Sequence, residues 1–353
     1  MAGSGYRVAV VGATGQVGTL MLRLLGERAF PIADIAAFAS ERSAGRLVRD
    51  PRRPGDELQV QALSEEAIQG FDLALFSAGG STSGEWAPRF AAAGAIVIDN
   101  SSRWRMNDDV PLVVSEVNPD DLESHHGIIA NPNCSTMQMV VALAPIHREA
   151  GIERLVVSTY QAVSGTGRRA VEELLEQSHA LLHESEIAPP SAYAHQIAFN
   201  VLPHAGTFHP GEDHTDEERK LINETRKILG DPTIRVSATC VRVPVVNCHS
   251  EAVNVETRRE LSVERARELL RSAPGVELLD EPSAASYPLA ISADGRDEVF
   301  VGRLRRDPGN DRALDMWIVS DNLRKGAATN AVQLAELLDE RGLLARDRTV
   351  SAA

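Results

Sequence analysis

The chain is short of thiols, of positive charge and of long apolar runs. Three cysteines among 353 residues cannot all pair within one chain, and none forms a Cys-x-x-Cys. That usage argues against a disulfide scaffold and fits a reducing, cytosolic compartment. Neither His125-His126 nor Cys240, Cys248 and His249 have the spacing of a zinc site, so no metal is expected. Lysine and arginine total 36 against 50 acidic residues, a formal net charge of −14. A nucleic acid or an anionic membrane would require a basic face, and both are disfavoured as partners. An anionic small molecule is not excluded, because a few local arginines can override the global field. No apolar run approaches the ~20 residues that span a bilayer. The opening "MAGSGYRVAVVGATG" lacks a basic stretch followed by an apolar one, so no secretory signal is expected.

What is present is enough chain for about two domains. In the first third, short apolar runs ("YRVAVVG", "IADIAAFAS", "FDLALFSA", "GAIVIDNS") alternate with helical stretches such as Val17–Leu25 and "SGEWAPRFAAAG". That alternation is the mark of a parallel sheet wound on both faces. After Cys134 the pattern changes to "IERLVVSTYQAVSG", a helical "RRAVEELLEQSHALLHE", and a loop-rich segment from Ser185 to Asp213. "DEERKLINETRKIL" follows as a helix. "TIRVSATCVRVPV", "SEAVNVETRRE", "EVFVGRLRRD" and "ALDMWIVSD" read as sheet, and the first two, alternating with period two, read as antiparallel. The expected fold class is α/β, with an N-terminal Rossmann-like parallel sheet over residues 1–133 and a mixed α+β domain over 134–324. An amphipathic C-terminal helix, 325–345, is expected to pack back on the first domain.

"VAVVGATGQVGTLMLRLL" sets Gly12, Gly15 and Gly18 between a strand and a helix. Glycines there let the backbone approach a pyrophosphate, and the helix N-terminus offers free N–H groups and a positive dipole end. An NAD site usually has an acidic side chain at the end of the second strand. Here Ser40, Arg42 and Ser43 stand there and suit a 2′-phosphate, so NADP is favoured over NAD, with Glu41 required to point away.

Cys134 lies in "GIIANPNCSTMQMVV", between an apolar run, an Asn-Pro-Asn turn and the mouth of a helix. Only a thiolate attacks well, and a helix N-terminus stabilises one through unpaired N–H groups and its dipole. From position alone a buried, inert cysteine is an equal reading. The polar turn favours the nucleophile, since Asn133 and backbone donors are suited to an oxyanion. A dinucleotide with a thiolate suggests aldehyde chemistry through a thioester. Cys240 and Cys248 read as packing residues.

With "GATGQVG", "DNSSRWRMNDDVPLVVSEVN", "NPNCST", "YQAVSG", "EERKLINETRKI", "RVPVVNCHSE" and "SDNLRKGAATN" in order, the chain resembles the aspartate-β-semialdehyde dehydrogenase family over nearly its whole length. The resemblance implies a thioester-forming nucleophile at Cys134, a general acid/base at His249 and a substrate-orienting residue at Gln161. It further implies that Arg242 grips the substrate carboxylate, that Glu217 lies near the amino group, and that Arg105 and Lys220, with Asn133, hold phosphate. Thr14, Gly15, Gln16, Val17, Arg42, Ser43, Ser164, Gly165 and Asn322 match cofactor contacts, to which the glycine loop adds Gly12 and the second strand's end adds Ser40. "SSRWR" leaves Arg103 open beside Arg105. On spacing alone Glu217 and Lys220 read first as an ordinary surface pair. The resemblance implies NADP-dependent interconversion of 4-phospho-L-aspartate with L-aspartate 4-semialdehyde and phosphate, in the biosynthesis of lysine, threonine, methionine and isoleucine, by a cytoplasmic homodimer whose second domain both catalyses and dimerises. The competing readings are an N-acetyl-γ-glutamyl-phosphate reductase, whose capped substrate has no use for an acid such as Glu217, and a non-catalytic NADP-binding regulator.

Overall fold

The structure, a computed structural model, describes residues 5–53 and 55–344. The chain forms two compact units. One runs to Pro132 and is completed by the chain from Ala327 onward; the other is Asn133–Gly326. The boundaries expected from sequence, 133/134 and 324/325, differ because Asn133 goes with the helix that it caps and a wide π-type turn, Arg324–Thr329, spans the return.

The first unit contains β1 (Tyr6–Val11), α1 (Gln16–Glu27), β2 (Ile32–Ala39), β3 (Leu47–Arg49), β4 (Glu57–Gln59), β5 (Gln61–Ala62), β6 (Leu73–Phe76), α2 (Gly80–Ala92), β7 (Ile96–Asp99) and β8 (Ile128–Ala130). Six of these strands form one parallel sheet in the order β5-β2-β1-β6-β7-β8. Val8, Ala9, Val10 and Val11 of β1 are all fully buried, as a central parallel strand covered on both faces requires. Strand order reverses at β1, so the loop that follows it opens at the switch point where such sheets bind ligands. The short β3–β4 pair stands apart as an antiparallel ribbon. The C-terminal helix, Asn330–Glu340, packs against α1, with Arg28 paired to Glu336 at 2.7 Å and the Tyr6 hydroxyl donating to Asp339 at 2.7 Å. Ala345, the last residue of the helix expected from sequence, lies outside the described residues.

The second unit contains α3 (Cys134–Ala150), β9 (Ile152–Gln161), α4 (Arg168–Leu182), α5 (Asp216–Ile228), β10 (Arg235–Arg242), β11 (His249–Thr257), α6 (Val263–Ser272), β12 (Val276–Leu278), α7 (Ala290–Ala293), β13 (Val299–Asp307) and β14 (Asn310–Ser320). Its sheet has the order β10-β9-β11-β14-β13-β12 and is mixed. β11 runs antiparallel to both β9 and β14. β10 is parallel to β9, contrary to the antiparallel reading of "TIRVSATCVRVPV". Period-two alternation reports that one face is buried and says nothing of a neighbour's direction. Direction here follows from the long helical crossover through α4 and α5, which returns the chain the same way round. α3 packs on one face of this sheet, touching β9, β11 and β14 as well as α5 and α6. Among the described residues no helix is long and apolar enough to cross a membrane.

Candidate active site

In the first unit the glycine loop has the shape a pyrophosphate needs. Gly12 has φ +86°, and a Cβ there would strike the Ser77 carbonyl oxygen; a Cβ at Gly18 would strike the carbonyl oxygen of Gly12. The loop is therefore closed to side chains and brings backbone to its surface. Gly15 is the N-cap of α1 and supplies no side-chain cap. Among the described residues the first-turn N–H groups of Gln16, Val17 and Gly18 have no protein acceptor, which leaves them to an anion. Thr14, Gln16 and Val17 are half-buried and Gly15 is exposed. Past the end of β2, Ser40, Glu41 and Arg42 are exposed and Ser43 is half-buried in a short 3-10 turn. Arg42 forms no ion pair among the described residues. These residues fit a dinucleotide.

Arg105, also in this unit, is buried; its guanidinium donates to the carbonyl oxygens of Asn131 and Asn100, each at 2.9 Å. Arg103 is exposed and lies over the Trp104 ring at 5.5 Å. The two candidates therefore differ: one is fixed by backbone, the other lies against a half-buried aromatic.

In the second unit Cys134 is the first residue of α3 and half-buried, whereas Cys240 and Cys248 are buried. Burial pushes both of those thiols up, which makes them inert packing groups. Cys134 thus occupies the dipole's positive end. The donors expected to be unpaired there are not all so: Asn133 Oδ1 accepts from Ser135 and Thr136 N–H at 3.0 and 3.1 Å. The other half of the same amide donates to Glu217 Oε1 at 2.9 Å. Asn133 is thus a cap through Oδ1 and a strut through one of its two Nδ2 hydrogens, and the other hydrogen is the one suited to an oxyanion or phosphate. Gly326 presses on the nucleophile from the other side, where a Cβ would sit 2.7 Å from that of Cys134.

Glu217 is at the centre of a buried polar network. Its Oε1 also accepts from Gln161 Nε2 at 3.2 Å, its Oε2 faces Lys220 Nζ at 3.2 Å, and Gln161 Nε2 reaches Ser135 Oγ at 3.0 Å. Burial alone would raise the Glu217 carboxyl, but Lys220 and the Asn133 amide outweigh it and hold the pKa below its ordinary value. Lys220 is likewise raised: burial opposes its charge, and Glu217 and Asp216, the latter 2.8 Å away, more than restore it. The pair is no ordinary surface pair, and a phosphate held by Lys220 would compete with two carboxylates.

Arg242 and His249 complete the cluster. Arg242 ends β10, is fixed by backbone bonds to Leu202 in both directions, and donates from Nη1 to the Ala162 carbonyl at 2.6 Å. It forms no ion pair among the described residues, and its Nε is buried without a partner. A buried guanidinium left in that state is a site for an anion. His249 opens β11 and is fully buried; Ala162 N–H donates to its Nδ1 at 3.0 Å, and Nε2 has no partner. Burial first and Arg242 second hold its pKa well below the usual histidine value. A Cβ at Gly165 would lie 3.1 Å from the imidazole and 3.3 Å from the Arg242 guanidinium, so that glycine leaves open the space both border.

Ser164 and Asn322 fall in this unit, whereas the glycine loop belongs to the first. Asn322 accepts from Cys248 N–H at 2.9 Å and donates to Ser164 Oγ at 3.0 Å, holding Cys248 in a left-handed conformation at φ +73° just before His249. Cys248 Sγ and carboxylate oxygens of Asp294 and Asp321 lie within 4.8 Å of one another. The Asp321 oxygens already accept from the N–H groups of Leu323, Arg324 and Gly295 and from the Asn247 amide. Ser135, Ala162, Glu224 (which accepts from Asn133 N–H at 2.7 Å) and Gly326 are site residues that sequence reasoning passed over. Ala162 acts through its backbone, which leaves no side-chain signal. Gly326 stood in a quoted motif, but its contact with Cys134 spans the whole second unit.

A family model for the semialdehyde dehydrogenase NAD binding domain matches residues 7–125, and one for the semialdehyde dehydrogenase dimerisation domain matches residues 143–325. An aspartate-semialdehyde dehydrogenase of Aquifex aeolicus is 56% identical over 343 residues, which cover 96% of this chain and 100% of that one. The crystal structure of aspartate semialdehyde dehydrogenase II complexed with ASA from Vibrio cholerae matches with TM-score 0.91 at 46% identity, over 95% of this chain and 98% of that one. Aspartate semialdehyde dehydrogenase with NADP from Candida albicans matches with TM-score 0.73 at 26% identity, over 96% and 99%.

Proposed function

The chain belongs to the aspartate-semialdehyde dehydrogenase family, and from that premise we propose that it interconverts 4-phospho-L-aspartate with L-aspartate 4-semialdehyde and phosphate, using NADP. The observation that carries this reading is a buried guanidinium, Arg242, with no ion pair among the described residues, in the same unit as a half-buried thiol at a helix mouth. A planar guanidinium takes a substrate carboxylate through two parallel bonds. Glu217, held ionised, receives the substrate ammonium, and Gln161 orients the reacting carbonyl against Cys134. Cys134 attacks the acyl phosphate, phosphate leaves, and a thioester remains on the enzyme. Arg105 and Lys220, with Asn133, hold the phosphate. The nicotinamide cofactor, when bound, supplies the hydride that reduces the thioester.

Gly12 and the segment Thr14–Val17 hold the cofactor's pyrophosphate, and Ser40, Arg42 and Ser43 hold a 2′-phosphate, with Ser164, Gly165 and Asn322 as further contacts. The NADP complex of the Candida albicans relative supports that choice of dinucleotide. The second unit is the dimerisation domain of a cytoplasmic homodimer; the family model's description supports the dimerisation. Rates with L-aspartate 4-semialdehyde and with N-acetyl-L-glutamate 5-semialdehyde test the reading. A preference for the first by two orders of magnitude is expected, and equal rates or the reverse order would reject it.

A further inference from the structure

We propose that Asp216 is a displaceable counter-ion of Lys220: it holds the ammonium while no phosphate is bound, yields it when phosphate arrives, and so weakens the chain's grip on that anion. The inference rests on the reading of Lys220 as a phosphate ligand.

Asp216 is the first residue of α5, and its two carboxylate oxygens have different tasks. Oδ1 accepts from the Thr207 N–H at 2.6 Å, and the Asp216 N–H donates back to the Thr207 carbonyl at 2.9 Å. A β-bridge between Phe208 and Thr215 binds the same loop to the start of the helix. Gly206 has φ +86°, and a Cβ there would strike Asp216 Oδ1, so the loop closes tightly on that oxygen. With one oxygen clamped, the other is aimed: Oδ2 accepts from Lys220 Nζ at 2.8 Å, closer than Glu217 Oε2 at 3.2 Å. Burial alone would raise the Asp216 carboxyl, but Lys220, the Thr207 N–H and His209 outweigh it and hold its pKa below the ordinary value. The group is therefore an anion at neutral pH.

An ammonium has three N–H donors. Two are committed to carboxylates, so one remains for an incoming phosphate, which also meets two negative charges. Of the two carboxylates, Asp216 is the one able to let go. The Glu217 side chain is 10% exposed and also tied to the amides of Asn133 and Gln161, whereas that of Asp216 is 33% exposed, and water can take the place of the ammonium there. When phosphate leaves, Asp216 recovers the lysine. In the direction that makes the aldehyde, phosphate is a product, and this exchange limits its rebinding.

Asp216→Asn separates the two tasks. Its amide oxygen still accepts from the Thr207 N–H, while an amide N–H in place of Oδ2 cannot hold Lys220, so one lysine donor is freed and one negative charge is removed. In NADPH formation from L-aspartate 4-semialdehyde, the KM for inorganic phosphate is expected to fall about three- to tenfold, with kcat within about threefold and the KM for the semialdehyde unchanged. Phosphate as a product inhibitor of the reverse reaction is expected to strengthen by the same factor. An unchanged KM for phosphate would overturn the proposal by making Asp216 a loop clamp alone; a raised one would overturn it by making Asp216 the prop that presents Lys220. Failure of the underlying reading looks different: Lys220→Ala would then leave the KM for phosphate as in the wild type.

Discussion

Arg242 is the residue whose chemistry is least replaceable by charge alone. Lysine in its place keeps one positive charge but loses the planar fork and the bond from Nη1 to Ala162. Arg242→Lys is expected to lower kcat/KM for the semialdehyde on the order of 10–100-fold, with NADP affinity unchanged. Kinetics equal to wild type would remove Arg242 from the substrate site. Gly326 gives a sharper steric case. It has no left-handed backbone to defend, so Gly326→Ala acts only through its new Cβ, 2.7 Å from the Cys134 Cβ and 3.2 Å from its Cα. Something must move, and a shift of ~1 Å at a nucleophile costs about 10²-fold in turnover. Steady-state kinetics with the melting temperature as control decide it; an active Gly326→Ala enzyme would mean that Cys134 tolerates displacement.

At this scale the sequence carried chemical identity better than partnership. Cys134, His249 and Arg242 were legible as residue types in recognisable surroundings. Which atom of Asn133 faced what was not, because one amide can serve as cap, strut or oxyanion donor, and only its neighbours Ser135, Thr136 and Glu217 decide. The bond that the His249 ring accepts from Ala162 was equally hidden, since its donor is a backbone group.

Among the elements, α5 holds Glu217 and Lys220 in place and starts with a full capping box: Thr215 Oγ1 accepts from Glu218 N–H at 3.2 Å, and Glu218 Oε2 accepts from Thr215 N–H at 3.0 Å. Glu218 also accepts from Cys240 N–H at 3.1 Å, tying the helix to β10. Thr215→Ala is expected to cost about 1 kcal/mol, read as a lower urea midpoint. An unchanged midpoint would mean that packing of α5 on β10 alone fixes the helix.

Strands β1, β2, β6, β7 and β8 were readable because short, mostly apolar runs between turns fit little but a sheet covered on both faces, whereas the two-residue β5 was too short to signal. The β3–β4 ribbon was not, being three residues a side with exposed ends. The direction of β10 was hidden too, since alternation records a buried face while the crossover sets the sense.

For the whole molecule, acid stability follows from which groups are perturbed. Burial is the leading cause of depressed pKa values at His125, His147 and His249. Each takes up a proton near pH 6.5 in the unfolded chain but not in the fold, so stability is full above that pH and falls as pH drops below ~6.5. The depressed carboxyls Asp50, Glu173, Asp216, Glu217 and Asp231 act in a lower window. Their contribution is present above the unfolded carboxyl range, near ~4, and is lost as pH falls through their folded values. Asp99 and Glu251, raised by burial, act the other way, costing stability as pH rises through their folded values. With the three histidines outweighing these two carboxyls, urea unfolding is expected to show a lower midpoint at pH 5.5 than at pH 7.5, and no difference would contradict it.

The proposed reaction depends on release of the acyl group from Cys134 by phosphate. NADPH formation from L-aspartate 4-semialdehyde, followed with and without inorganic phosphate, addresses it in one experiment. Without phosphate the enzyme is expected to yield at most one NADPH per Cys134 and then stall as the thioester; with phosphate it turns over continuously. Steady turnover at the same rate without phosphate, or none with it, would contradict the account.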